Sequence, residues 1–371
     1  MRKTRVFAAY LPQYHETPEN NLFWGEGFTD WVGVKNAKTQ YGWQRQPRVP
    51  MNENYYDLSD YKNILWQSNL AKQYGIDGFC IYHYWFEAGK SVLDTPAKLI
   101  LAHSEIDISF FFSWDNSSWI RSWSNISGNA WAPQFDKKDD KKQEYLLKHE
   151  YGNKQDWKQH FEWLLPFFKD KRYYKIDGKP VFIMFCVDNK RIMTKMQQCW
   201  NDLAVNNHLP GIYMISGVGP FRNQHCLDAQ FKYQPLGIWN KRKAIQRRLG
   251  KYLHISGKAE YKNIWEYKKA WNIILRQSRK CVKHHIYTSA IVRYDDTPRR
   301  GKKANIIRGE SPLLFEKFFS QFYSLNTKYN MEFLLLTAWN EWGEGAYLEP
   351  DTVDGYAYLE AVSKVLENYK V

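Results

Sequence analysis

Glu341 and Glu344 stand three residues apart in the stretch Trp339-Asn340-Glu341-Trp342-Gly343-Glu344-Gly345. Two carboxylates beside two indoles suit glycosidic chemistry. That chemistry usually needs one carboxylic acid to protonate the leaving oxygen and a second carboxylate as nucleophile or base. Indole faces hold the C–H faces of a sugar ring, and a partly dry, Trp-rich pocket raises the pKa of one carboxyl so that it serves as an acid near neutral pH. The other needs water or donors to stay ionised, and Asn340 and Arg121 could supply them. Glu349, just before Pro350, is a third carboxylate close by. The competing reading is a solvated, glycine-rich turn that happens to be acidic.

Similar clusters follow other apolar runs. Tyr10, Gln13 and Tyr14 end the first run, with His15 just beyond. His83, Tyr84 and Trp85 end the second. Trp114, Asn116, Trp119, Arg121 and Trp123 follow the third. With Asn340, Trp342 and Glu349 they form the candidate substrate-binding set around the catalytic pair. Alternation along a strand lets only half of each set face one centre. Asp295-Asp296-Thr297-Pro298-Arg299-Arg300 raises the thought of a metal and a sugar-nucleotide donor, but reads better as a turn with local ion pairs. No metal site and no cofactor is expected.

These clusters need a scaffold that brings strand ends together. Eight short apolar runs read as buried strands, at 6–11, 78–84, 108–114, 180–186, 211–217, 229–233, 286–292 and 333–338. Helical spacing falls between them, at 61–74, 96–103, 157–168, 192–205, 261–274, 311–325 and 355–366. Residues 16–56 have no clear periodicity and read as a long loop. The alternation is α/β, and its count fits a (β/α)8 TIM barrel with long loops at the C-terminal face of the strands and a basic insertion near 241–284. One domain over 1–371 is expected. A doubly wound open sheet is the alternative, but no GxGxxG or GxxxxGK[ST] opens a helix.

The formal net charge is +14, and the stretch 241–285 alone carries fourteen Lys/Arg against two acids. Such a local patch argues against a nucleic-acid binder, whose basic surface is usually broader. It fits peripheral contact with an anionic membrane through 241–284, set against a solvated basic face with no partner. The five cysteines show neither a metal-type spacing nor a disulfide framework. No apolar leader and no membrane-length run is seen, so a cytoplasmic location is expected, peripheral to the inner face of the membrane.

Six stretches together resemble one family: YLPQYH, ENNLFWGEGFTDW, QPRVPMNENYYDLSD, YGIDGFCIYHYWF, LLPFFKDKRYYKIDGKPVF and AWNEWGEGAYLEPD. They resemble the WbsX-type polysaccharide biosynthesis proteins, which carry a glycoside hydrolase family 99-like domain. The resemblance runs from about Val6 to the C-terminal helix. It implies a (β/α)8 barrel acting on glycans, among O-antigen and capsule assembly functions. It also implies roles. Glu341 would deprotonate a sugar 2-hydroxyl, which attacks the anomeric carbon, and Glu344 would protonate the leaving oxygen and then activate the acceptor. After strand three, Trp114, Asn116, Trp119 and Arg121 match the family pattern, but Ser117 stands where a glutamate is usual.

The expectation is therefore an enzyme of cell-surface polysaccharide biosynthesis that makes or cleaves a glycosidic bond with retention. Its partner would be an oligosaccharide or lipid-linked glycan. A sugar-nucleotide-dependent glycosyltransferase and a non-catalytic glycan-binding barrel are the alternatives.

Overall fold

The computed structural model describes residues 4–120, 145–218, 226–239 and 264–369. Eight parallel strands form its centre: β1 (Arg5–Tyr10), β2 (Gly78–Trp85), β3 (Ser109–Trp114), β4 (Lys179–Cys186), β5 (Tyr213–Val218), β6 (Ala229–Lys232), β7 (Tyr287–Ile291) and β8 (Phe333–Thr337). Each pairs with its sequence neighbours, and β1 pairs with both β8 and β2. That last pairing closes the sheet into a (β/α)8 barrel and rules out the open doubly wound alternative. The strands begin and end within two residues of the predicted runs, because strands buried on both faces are continuous apolar segments.

Parity decides what each strand shows to the barrel interior. Phe7, Phe111 and Phe333 pack edge to face near the strand starts, with centroids 4.9 to 6.0 Å apart. Two residues along, Ala9, Cys80, Ser113 and Leu335 line a small interior space, topped by Tyr82, Phe185 and Tyr233. The residues of opposite parity face the helices. The interior is thus a packed plug at the bottom and a hydroxyl-bearing floor at the top.

The described residues form ten α-helices: α1 (Pro18–Trp24), α2 (Asp30–Lys35), α3 (Tyr61–Gln73), α4 (Thr95–Ala102), α5 (Lys154–Lys169), α6 (Lys190–Asn206), α7 (Tyr267–Cys281), α8 (Thr297–Arg300), α9 (Pro312–Lys328) and α10 (Ala357–Glu367). On α9, Phe315, Phe318, Phe319, Phe322 and Tyr323 form the buried stripe, and Ser311 caps the N-terminus by accepting from the Leu314 N–H. The 16–56 stretch, read as a loop, holds α1 and α2. Both are too short for a periodic signal to register.

The described end of the basic stretch is ordinary barrel structure. Its described end supplies α7, which runs to Cys281 rather than ending near residue 274. Tyr267, Ala270, Trp271, Ile274 and Leu275 bury one face, while Lys268, Lys269, Arg276, Arg279 and Lys280 stay exposed. Residues 240–263 lie outside the described residues. Among the described residues, no helix is long and apolar enough to cross a membrane.

Candidate active site

The chain leaves β8 through buried Trp339 and turns at once into a hairpin. Asn340–Glu341 pairs antiparallel with Ala346–Tyr347, and Trp342–Glu344 makes the tight turn between them. Both glutamates therefore project from one hairpin at the C-terminal mouth of the barrel, where barrel active sites lie. Gly345 closes the turn with φ 56°, a left-handed conformation that favours glycine. A Cβ there would also come within 2.9 Å of the Asp295 carbonyl oxygen, so the hairpin lies against the segment after β7.

A buried polar layer holds this hairpin in place. The Asn340 side chain brackets Leu11, accepting from its N–H at 2.7 Å and donating to its carbonyl at 3.0 Å. The Tyr14 hydroxyl donates to the Asn340 carbonyl at 2.7 Å and accepts from the Trp342 N–H at 3.0 Å. Trp342 stacks on Tyr347 with centroids 3.7 Å apart, and its indole N–H donates to Glu349 at 2.6 Å. Glu349 also accepts from Tyr56 (2.8 Å) and Gln67 (2.7 Å), and Gln67 accepts from Tyr10 (2.6 Å). Tyr10, Tyr14, Asn340, Trp342 and Glu349 thus all serve one scaffold behind the glutamates, each with its polar atom already engaged.

Burial pushes Glu349 up to about 7, against the pull of its donors. The folded protein then holds this proton well above the ordinary carboxylate pKa. That favours the fold at low pH, and the advantage is lost as pH rises through about 7. Replacing Glu349 by Gln should flatten this slope. Wild type should lose on the order of 3 kcal/mol more than E349Q between pH 4.5 and 7.5. Urea unfolding of both proteins across that range measures it; parallel curves would contradict the assignment.

Around the pair, Arg299 of α8 is the bridging cation. It reaches Glu341 at 2.8 Å, Asp30 at 2.6 Å and Glu344 at 3.5 Å. Burial pushes Glu341 well above the usual carboxylate range; Arg299 pulls it down, while Glu344 and Asp30 push it up again. Burial also raises Tyr82 and Tyr84, and Glu341 adds to the rise, so both hydroxyls stay protonated and able to donate. Tyr82 shares a hydrogen bond with Tyr233, and Gln13 donates to Tyr84 at 3.4 Å. Among the described residues, the mouth of the barrel thus brings Glu341, Glu344 and Asp30 together with Arg299 and several neutral hydroxyls. Asp115, at the end of β3, is pushed up to about 6 by burial and accepts from Ser117 at 2.7 Å.

The predicted binding residues separate by position. Gln13 and Tyr84 lie with Glu341 and Glu344 at the mouth. His83, Trp85 and Trp114 have helix-facing parity and close around His160 of α5: His83 shares a hydrogen bond with it at 2.8 Å, and Trp85 stacks on it at 4.5 Å. Burial pushes His83 down to about 3, so it is neutral. Asn116 is buried, bonding both the N–H and the carbonyl of Cys186. Trp119 packs with Tyr84 and Phe86 in a small separate cluster. Arg121 and Trp123 lie outside the described residues. The Asp295–Arg300 segment, read as a turn with local ion pairs, is instead the short helix α8 and the two residues that lead into it. Gln44 and Gln46, from far along the chain, donate to Asp295, as does the nearby Thr297, and Arg300 pairs with Asp296 at 3.0 Å.

Sequence reading missed Arg299, Asp30 and Tyr233 as parts of the candidate site. Tyr82, which ends the second run with His83, Tyr84 and Trp85, shares parity with Tyr84. Asp30 sits in the aperiodic stretch and had no signal.

The fold is a (β/α)8 barrel with two glutamates carried on one hairpin at its C-terminal mouth. The sequence matches the family described as Glycosyltransferase WbsX over residues 6–362, and the chain belongs to that family. It is 27% identical over 369 residues to WxcX of Xanthomonas campestris pv. campestris (strain B100), itself described as uncharacterized. That alignment covers 97% of this chain and 49% of WxcX, so the chain spans about half the length of the curated relatives it matches. Among solved structures the fold resembles the GH99 endo-alpha-mannosidase from Bacteroides thetaiotaomicron. The complex of that enzyme with BIS-TRIS-propane superposes with a TM-score of 0.57 at 13% identity, covering 98% of this chain and 97% of that one. A glycoside hydrolase-like protein gives the same TM-score at 12% identity, covering 98% and 94%.

Proposed function

We propose that this protein makes or cleaves a glycosidic bond with retention during assembly of a cell-surface polysaccharide of the O-antigen or capsule kind, using Glu341 and Glu344. The observation that carries the reading is the pair itself: two carboxylates on one hairpin at the barrel mouth, bridged by a cation. Glu341 takes the proton of the sugar 2-hydroxyl, and that oxygen bonds to the anomeric carbon. Glu344 gives its proton to the leaving oxygen as the glycosidic bond breaks. Glu344 then takes a proton from the incoming acceptor, which opens the strained ring, and Glu341 returns the proton to the 2-oxygen. A base raised by burial is a stronger base, and the neutral hydroxyls of Tyr82 and Tyr84 are placed to donate to the sugar. Whether water or a sugar hydroxyl arrives second decides between hydrolysis and transfer.

The test is incubation of the purified protein with lipid-linked oligosaccharide, with and without a panel of sugar nucleotides, while glycan mass is followed. Rearrangement or shortening without nucleotide supports the two-glutamate route. Growth that requires a sugar nucleotide replaces it with nucleotide-dependent transfer on the same barrel.

The exposed cations of α7 belong to the same reading, as the side that meets an anionic membrane carrying the lipid-linked glycan. Charge reversal at Lys268, Lys269 and Lys280 should weaken sedimentation with phosphatidylglycerol vesicles at low salt by at least several-fold. Unchanged binding would return this face to plain solvation.

A further inference from the structure

Arg299 contacts three carboxylates that come from two separate parts of the chain. Its Nη2 donates to Asp30 on α2 at 2.6 Å and to Glu341 at 2.8 Å, and its Nη1 lies 3.5 Å from Glu344. A fourth observation is independent of charge. A Cβ built on Gly343 would stand 2.6 Å from Arg299 Nε and 3.3 Å from its Cζ. The backbone at Gly343 is not in the left-handed region, so its conformation does not demand glycine. Space does: the guanidinium lies against the hairpin between the two glutamates.

We propose that Arg299 is a positioning residue for the reaction, clamped by Asp30 and seated on Gly343 so that Glu341 and Glu344 are held as one unit. The inference rests on the function proposed above for its purpose, but the clamp is a property of the chain and can be measured without substrate.

The chemistry needs such a group. Glu341 is buried, and among the described residues its charged neighbours other than Arg299 are Glu344 on the same hairpin and Asp30 on α2, both of like sign. The hydroxyls of Tyr14, Tyr82 and Tyr84 also feel its charge. Burial and the two like charges all favour protonation, Arg299 is the described group that opposes them, and a protonated Glu341 cannot accept the 2-hydroxyl proton. Burial works against the charge on Arg299, and Glu341, Asp30 and Glu344 more than offset it, so the cation is fixed. Asp30 adds what a charge alone would not: it anchors the guanidinium from outside the hairpin, so the pair keeps its geometry when substrate enters.

The test is an infrared titration of carboxyl protonation in the wild type, R299Q, R299K and G343A, each repeated with E341Q to identify the Glu341 band. R299Q should raise the Glu341 midpoint by about one pH unit or more. R299K, which keeps the charge but not the fork, should raise it less. G343A leaves Arg299 in the chain but pushes it off its seat, and should move the midpoint in the same direction. An unchanged Glu341 midpoint in R299Q overturns the proposal, and so does one in G343A if R299Q fails to fold. Where turnover is measurable, the acid limb of the kcat/KM profile should move up with the titration. Loss of the function proposed above, with the titration as described, would leave the clamp standing.

Discussion

Replacing Glu344 by Gln should lower turnover by 10²- to 10⁴-fold while leaving the melting temperature within a degree or two of wild type. The magnitude is what removal of one positioned acid or base typically costs. Glu344 is half-buried at the hairpin tip, and its described ion pair, to Arg299 at 3.5 Å, is the longest of that cation's three. The fold therefore loses little, and the effect should fall on kcat. A melt by circular dichroism beside a rate measurement on the same preparation separates the two. Near-normal turnover in E344Q would sink the mechanism. A large drop in melting temperature would show that Glu344 is structural.

Arg293 is the site of the largest expected stability loss. It is 1% exposed and donates to Asp351 at 2.8 Å, Asp354 at 3.1 Å and the Tyr347 carbonyl at 3.1 Å. Its guanidinium also lies 3.8 Å from the Tyr347 ring centroid and 4.3 Å from that of Tyr358 on α10. It ties the return strand of the hairpin that carries Glu341 and Glu344 to the closing helix. Arg293→Met keeps much of the volume and removes the charge, leaving Asp351 buried without its main partner. Breaking a buried pair from one side costs roughly 3–5 kcal/mol. Chemical denaturation should show a loss of about that size. R293M combined with Asp351→Asn should recover part of it, because the stranded charge is gone. A loss under about 1 kcal/mol would contradict this account of how the hairpin is held.

These expectations rest on parts of the molecule that were unequally legible in the sequence. The barrel was readable because each strand is a short apolar run and each long helix a periodic one; β8 and α9 are clear examples. The hairpin was readable too, since Glu341-Trp342-Gly343-Glu344-Gly345 concentrates acids, indoles and glycines. Which face each strand residue takes was not. His83 and Trp85 carry the same chemical promise as Tyr84, and parity alone sends them toward His160, on a helix about eighty residues away. Nor could sequence show that Asn340 is consumed in bonding to Leu11, Trp342 to Glu349, and Glu349 to Tyr56 and Gln67, because those partners meet only in the folded barrel. Arg299 was in view within a segment read as a turn with ion pairs. Its link to the glutamates needed the register of two loops that follow different strands. The glycine at 343 shows the same limit: a turn residue in the sequence, a seat for a guanidinium in the fold.

The most direct measurement is the mass of a lipid-linked oligosaccharide before and after incubation with wild type and with the E341Q/E344Q double variant, at equal folded concentration. The account predicts a glycan of changed mass or linkage with wild type and an untouched glycan with the double variant. Equal conversion by both proteins would contradict it, and would move the chemistry away from this hairpin.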